Sequence, residues 1–440
     1  MVLPSTASSV AASAKRKAYL NIVLPLFITS IIAYLDRVNL GYAALTMKAD
    51  LQFSNEVFGL GAGIFFVGYF LCEIPGALIA ERFSAKWWLA RIMITWGIAS
   101  GLMAFTTAAW QFYVLRFLLG VAEASLYPVL YATCIPRWFS AADRPRALAV
   151  LLTSLQISSV IGAPLAGWLL GVTLCGFQGW QILFLVEAVP AIVFGIILVQ
   201  WMADWPRDAS WLTAEEKAFL AHQYESEVAA KSAVRHYSVW QALRDREVLK
   251  LCVTYFLWIT GFWGFGYWMP TTLQEATGWS NLTVGWMIVI PMSLSLLAML
   301  WVGHHSAKTG EKRWHGAAGM FVAAFGMLLG MFATSPTVAF VSLSLVAIGI
   351  YAPFGVWWSY PTTFLSGAAA AGAIGFINSC GNVGGFVGPY LMGFLKDRTQ
   401  SYASGWFILA LFLVASGLLV LTFRRQVPTD VTQSPFAPRK

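Results

Sequence analysis

The sequence predicts an all-α integral membrane protein: twelve transmembrane helices in two pseudo-symmetric six-helix bundles. Three observations lead there. Hydrophobic residues make up 58% of the 440 and charged residues only 11%, with mean hydropathy +0.68, where a soluble domain carries about 25% charged residues. Apolar runs of the roughly 20 residues needed to cross a bilayer recur along the whole chain. A single offset of 226 residues aligns distant parts of the sequence with each other.

Residues 1–19 are rich in Ser and Ala, end in Lys15-Arg16-Lys17 and lack the pattern of a signal peptide. They are expected to form a cytoplasmic tail. Six apolar segments follow at 20–44, 57–80, 87–106, 110–134, 146–171 and 180–203, broken at polar stretches such as 82–86 and 137–146. Residues 204–248 are the long polar stretch, with mixed charge in a helical rhythm, and Thr213 with Glu216 three residues on makes a capping box. Six more segments lie at 249–271, 282–303, 315–333, 337–360, 371–395 and 404–423. This divides the chain into an N-terminal bundle (20–203), a cytoplasmic linker (204–248), a C-terminal bundle (249–424) and a cytoplasmic tail (425–440).

Basic residues test that map. The segments on the side of the termini hold 23 of the 28 Lys and Arg, and the opposite side holds only Lys48, Lys396 and Arg398. Cytoplasmic loops carry the basic excess, so both termini are expected in the cytoplasm. Because the +8 net charge is spread over these loops, it reports topology and excludes nucleic-acid binding. Cys72, Cys134, Cys175, Cys252 and Cys380 fall in or beside apolar segments without paired spacing, and read as small packing residues with neither disulfide framework nor metal site.

The repeat supports duplication. The 226-residue offset pairs Arg82–Trp88 with Lys308–Trp314, Gly162 with Gly388, Gly167 with Gly393, and Gly179-Trp180 with Gly405-Trp406. Duplicated six-helix bundles are a common architecture of secondary transporters.

Chemistry enters with the charges inside apolar segments. Asp36-Arg37 lies in the first, and Arg116 with Glu123 in the fourth. Ionisable groups at membrane depth are costly and face water-filled paths. Under the offset they correspond to Phe262, Trp263, Ser342 and Gly349, so only the first half carries this charge. The asymmetry favours a site over scaffolding. Arg116 and Glu123, seven residues apart, share one helical face about 10 Å apart. An Arg fork fits a carboxylate and keeps its proton, while a carboxyl in a low-dielectric cavity can titrate. Two fixed cations with two titratable acids suit an anionic substrate that moves with protons. Arg116 and Arg37 are candidate substrate ligands, and Asp36 and Glu123 candidate proton-coupling groups.

Tyr34, Tyr69, Gln156, Trp358, Asn378 and Asn382 are the softer substrate candidates. Asn378 and Asn382 lie one turn apart among glycines, as in a helix that bends beside a polar cavity. Gln156 is the offset mate of Asn382. Glu73 and Glu187 are expected to bond a neighbouring helix or a basic loop. Gly59-Leu60-Gly61-Ala62-Gly63 mimics a dinucleotide loop but opens an apolar helix, which points to close helix contact. His304-His305 lack partners at metal spacing, and no catalytic triad or phosphate loop emerges. No enzyme activity, metal or cofactor is expected.

On these residues the chain resembles the major facilitator superfamily over roughly 18–425. Glu81-Arg82-Phe83-Ser84-Ala85-Lys86 is similar to that family's loop motif, with Ser84 in place of the usual Gly; the second copy, Lys308–Arg313, keeps its Gly. Ala33–Asn39, Phe112–Phe117 with Ala122-Glu123-Ala124, and Ile377–Asn382 are similar to the anion:cation symporter family, and the run through Ala90-Arg91-Ile92-Met93 to its bacterial tartrate-type members. The resemblance implies organic-anion transport, with Arg116 as a carboxylate ligand, Asp36 and Glu123 as protonation sites, and Arg37 interacting with them. Tyr69, Gln156, Trp358 and Asn378 match substrate-cavity positions. The expectation is proton symport of a small organic acid into a bacterial cell across the inner membrane, with anion exchange as the alternative. One chain holds both halves, so a monomer suffices.

Overall fold

The computed structural model describes residues 4–232, 245–333, 335–360 and 367–423. Among them run twelve long helices: α1 (Ser9–Asp50), α2 (Asn55–Arg82), α3 (Ala85–Met103), α4 (Ala109–Trp138), α5 (Arg144–Leu169), α6 (Gly179–Trp201), α7 (Arg246–Thr277), α8 (Asn281–Thr309), α9 (Arg313–Met331), α10 (Pro336–Trp357), α11 (Gly367–Thr399) and α12 (Ala403–Leu421). A linker helix, Ala214–Ser232, separates the sixth from the seventh. Six of the helices (α1, α2, α4, α7, α8 and α11) run past both ends of their apolar segments, and the other six start a residue or two early and stop short of the segment's end. The first departs most: the chain is helical from Pro4, so part of the expected tail extends α1.

Serines set several of the starts. Ser54 accepts from the Val57 amide at 3.1 Å, and Ser280, its mate under the 226 offset, accepts from Thr283 at 3.2 Å; each satisfies an amide that a helix start leaves open. Ser84 explains the departure from the loop motif. Its side chain caps α3 through the Trp87 amide at 3.3 Å and donates to Asp204 at 2.5 Å, which glycine could not do. Its counterpart Gly310 ends α8 at φ +69°, where glycine alone avoids the left-handed penalty.

The pseudo-symmetry is visible in the contacts. A Cβ on Gly59 would lie 2.5 Å from the Pro389 carbonyl oxygen, and one on Gly285 2.4 Å from that of Ala163; both pairs are related by the offset. Gly393 stands 2.1 Å from Asn55 O by the same measure and Gly167 2.6 Å from Asn281 O, again offset mates. Gly63 meets Phe386 O at 2.7 Å and Gly61 the Phe112 ring. The glycine run in α2 is therefore a helix contact, as the sequence indicates.

These inter-half approaches all fall on one side of the protein, away from the termini. There α2 is sealed against α11 and α5 against α8. Asp397 of α11 adds a cross-half cap, accepting from the Asn55 amide at 3.3 Å, the Asn55 side chain at 2.7 Å and the Glu56 amide at 2.7 Å.

On the termini side, the linker helix is clasped to the first half. Thr213 and Glu216 form the expected capping box (2.8 and 3.3 Å). Glu216 also receives Ser13 at 2.6 Å and Lys17 at 2.8 Å. Burial works to raise the Glu216 carboxyl, but these donors together hold it at about 2. Arg144 pairs with Glu227 at 2.5 Å, and Lys15 pairs with Asp143.

Candidate central cavity

Small residues position the charges. A Cβ on Gly68 would lie 2.3 Å from Phe117 O, and one on Gly120 2.0 Å from Phe65 O, so α2 and α4 run backbone to backbone. That approach brings Arg116 to the α2 carbonyls. Its Nε donates to Gly61 O at 3.2 Å and its Nη2 to Ala62 O and the Tyr267 hydroxyl, each at 3.3 Å. The guanidinium lies over the Phe65 ring at 4.8 Å. Further along, α4 breaks at Ser125, where φ is +72°, and the Trp88 indole donates to the Ser125 hydroxyl at 2.9 Å. Glu123 is the last residue before the break and is fully buried.

Arg37 bonds Glu123 across helices, one of the two acids that the resemblance gives it as partners. Asp36 accepts from the Ser100 hydroxyl of α3, because adjacent helical residues point about 100° apart and face different neighbours. Arg37 is caged by the rings of Phe65 and Tyr69 (5.1 Å each), Tyr127 (5.5 Å) and Trp263 (5.7 Å). Its Nε and the second Glu123 oxygen have no hydrogen-bond partner.

A cavity of about 140 Å³ opens between the halves. Arg37, Tyr34, Tyr69, Gln156, Trp358, Asn378 and Asn382 all line it. Arg116, Asp36 and Glu123 do not: Arg116 lies behind Phe65 and gives its donors to the α2 carbonyls and the Tyr267 hydroxyl, and the two acids sit in the second layer. Across the cavity Tyr34 and Tyr351 meet hydroxyl to hydroxyl at 3.2 Å, and Ser295 donates to Gln156 at 3.1 Å. Asn378 and Asn382 donate to the two oxygens of Glu73 at 2.6 and 2.9 Å, so Glu73 ties α2 to α11 of the other half. Glu187 bonds neither a helix nor a loop.

Sequence reasoning missed the aromatic wall of Tyr127, Tyr131, Tyr255, Trp263 and Tyr351. One signal was available. Trp263 is the offset mate of Arg37, so the duplication places a ring where the second cation would stand, and the two side chains face each other. Among the described residues no cluster of His, Cys, Asp or Glu could hold a metal. His305 hydrogen-bonds His315 at 2.7 Å on the termini side, far from the cavity.

The family profile of the Major Facilitator Superfamily matches residues 26–389. The chain belongs to this superfamily. Over 418 residues it is 43% identical to an Agrobacterium vitis protein named "Putative tartrate transporter", covering 94% of this chain and 95% of that one. It is 34% identical over 410 residues to a quinolone resistance transporter of Acinetobacter baumannii (93% and 94% covered). Among solved structures, the inward open xylose transporter XylE from E. coli aligns with TM-score 0.73 at 14% identity, covering 93% of this chain and 97% of that one. A bacterial homologue of the lysosomal transporter Spinster, inward-facing and unoccupied, aligns at 0.70 and 16% identity (91% and 94%). This protein is thus a multi-pass membrane transporter of twelve helices, not an enzyme.

Proposed function

We propose that this transporter carries a small organic acid anion into the cell by proton symport, with Arg37 as the cation that meets the substrate. The observation carrying this reading is the Arg37–Glu123 pair at a cavity built from both halves. While Glu123 is ionised it holds one arm of the Arg37 fork. Protonating Glu123 releases the fork for an incoming carboxylate, so anion and proton enter together and the buried charge stays balanced. Arg116, holding α2 carbonyls and Tyr267 of the other half, fixes the contact between halves and contributes positive potential from behind Phe65. Gln156, Asn378 and Asn382 offer hydrogen bonds to hydroxyl or second carboxylate groups, and the rings exclude water. Alternating access follows by rocking one half against the other, from the present state sealed away from the termini.

The basic loops support cytoplasmic termini, and bundles at 20–203 and 249–424 acting within one monomer. The relatives named for tartrate favour a hydroxy-dicarboxylate; a bacterial inner membrane is the corresponding location. A quinolone-type exporter fits less well, because a caged guanidinium beside the cavity opposes an ammonium.

The test is uptake in proteoliposomes of labelled tartrate, sugar acids, phthalate and hydroxyphenylacetate, with and without an inward proton gradient. Gradient-dependent uptake of one acid is expected, abolished in Arg37→Ala and uncoupled from the gradient in Glu123→Gln. Uptake that ignores the gradient and requires an anion inside would replace symport with exchange.

A further inference from the structure

Three side-chain amides line the cavity, and they are held in opposite senses. Asn378 and Asn382 of α11 each donate a side-chain N–H to Glu73 of α2, at 2.6 and 2.9 Å. Glu73 is 5% exposed and lies outside the cavity lining. From the first half, Gln156 of α5 is 1% exposed. Its Oε1 accepts from Ser295 at 3.1 Å, and its Nε2 has no hydrogen-bond partner.

An ionised carboxylate only accepts, so each asparagine must turn its nitrogen to Glu73. The oxygen of a planar amide points away from what its nitrogen holds, so both asparagines turn an acceptor toward the cavity they line. Gln156 is held the other way round: Ser295 takes its oxygen, and a buried donor is left to pair. Acceptors suit a hydroxyl group and repel a carboxylate, whereas a free N–H suits a carboxylate. We propose that Glu73 is the positioning residue that selects for hydroxyl groups on the substrate, acting through Asn378 and Asn382, while Gln156 takes a second carboxylate. The inference rests on the reading of Arg37 as the ligand of the first carboxylate. It narrows the substrate class to a hydroxylated dicarboxylate and gives Glu73 a role beyond tying α2 to α11.

The test is equilibrium binding to the full chain by calorimetry at one pH, with tartrate, malate and succinate, which carry two, one and no hydroxyls between the same carboxylates. Wild type should lose about 2- to 12-fold in Kd with each hydroxyl removed. In Glu73→Gln the new amide presents one oxygen and one N–H, so one asparagine turns about and shows the cavity a donor. The preference for tartrate over succinate should then fall by about 2- to 12-fold, with succinate bound no more weakly, which also shows that the site is folded. Asn378→Leu with Asn382→Leu should abolish the preference, and adding Glu73→Gln should change it no further. An equal loss for all three acids in Glu73→Gln would reduce Glu73 to a tie between halves and overturn the proposal. Wild type that binds succinate as tightly as tartrate, or phthalate and none of the three, would overturn it too and leave the symport reading standing. Uptake indifferent to the proton gradient, with these ratios intact, would instead count against symport alone.

Discussion

Alanine in place of Gly393 puts a methyl 2.1 Å from the Asn55 carbonyl oxygen. Carbon and oxygen ordinarily approach to about 3.3–3.6 Å, so α11 must withdraw from the start of α2 by more than 1 Å. Overpacking of this kind costs about 1–3 kcal/mol. The contact joins opposite halves on the sealed side and disappears when that side opens, so the cost falls on the sealed state alone. The equilibrium should shift toward the opposite state by about 5- to 150-fold. The assay is a spin-label distance between Thr107→Cys and exposed Phe332→Cys, on the far-side loops of the two halves, with the native cysteines replaced. Gly393→Ala is expected to add a longer-distance population. Gly167→Ala, its mate at 2.6 Å, should do the same, and Gly375→Ala, with nothing within 4 Å, should not. Folded Gly393→Ala with an unchanged distance distribution would refute the claim that these glycines seal the far side.

Three further outcomes follow from the same geometry. Arg37→Lys replaces a fork with a point charge and should weaken carboxylate binding by about 1.5–3 kcal/mol, or about 10- to 150-fold in Kd, by calorimetry with the acid identified in uptake. Asp397→Ala removes the cross-half cap of α2, should cost the sealed state about 0.5–2 kcal/mol, and should move the same spin-label distance in the same direction as Gly393→Ala. The Glu216 clasp should be pH-dependent at the acid end only: with the carboxyl held at about 2 against an ordinary 4.5, its stabilisation is full above about pH 4.5 and fades as pH falls toward 2. Hydrogen exchange in the linker helix should report this, and Glu216→Gln should raise exchange at neutral pH and flatten the dependence.

The fold was legible because membranes impose simple rules: apolar length gave twelve spans, loop charge gave their alternation, and the duplication survived as glycine contacts related by 226 residues. The cavity was legible in part. Arg37, Tyr34, Tyr69, Gln156, Trp358, Asn378 and Asn382 all line it, from both halves, because intramembrane polar residues turn inward. The resemblance named both acids as partners of Arg37 and did not choose between them. Whether Arg37 meets Asp36 or Glu123 depends on the rotation of α1 against α4, which the Gly68 and Gly120 approach fixes and periodicity does not. The break at Ser125 lay inside a stretch read as one apolar segment, 110–134. The resemblance made Arg116 the carboxylate ligand; its place behind Phe65 depends on the same α2–α4 contact.

The central claim is that anion and proton move together through the cavity beside Arg37. It is tested most directly by recording internal pH in lightly buffered proteoliposomes when the identified acid is added outside with no gradient imposed. The account predicts internal acidification in step with uptake, absent in Arg37→Ala, with uptake continuing without acidification in Glu123→Gln. Wild-type uptake at full rate with no change in internal pH would contradict it.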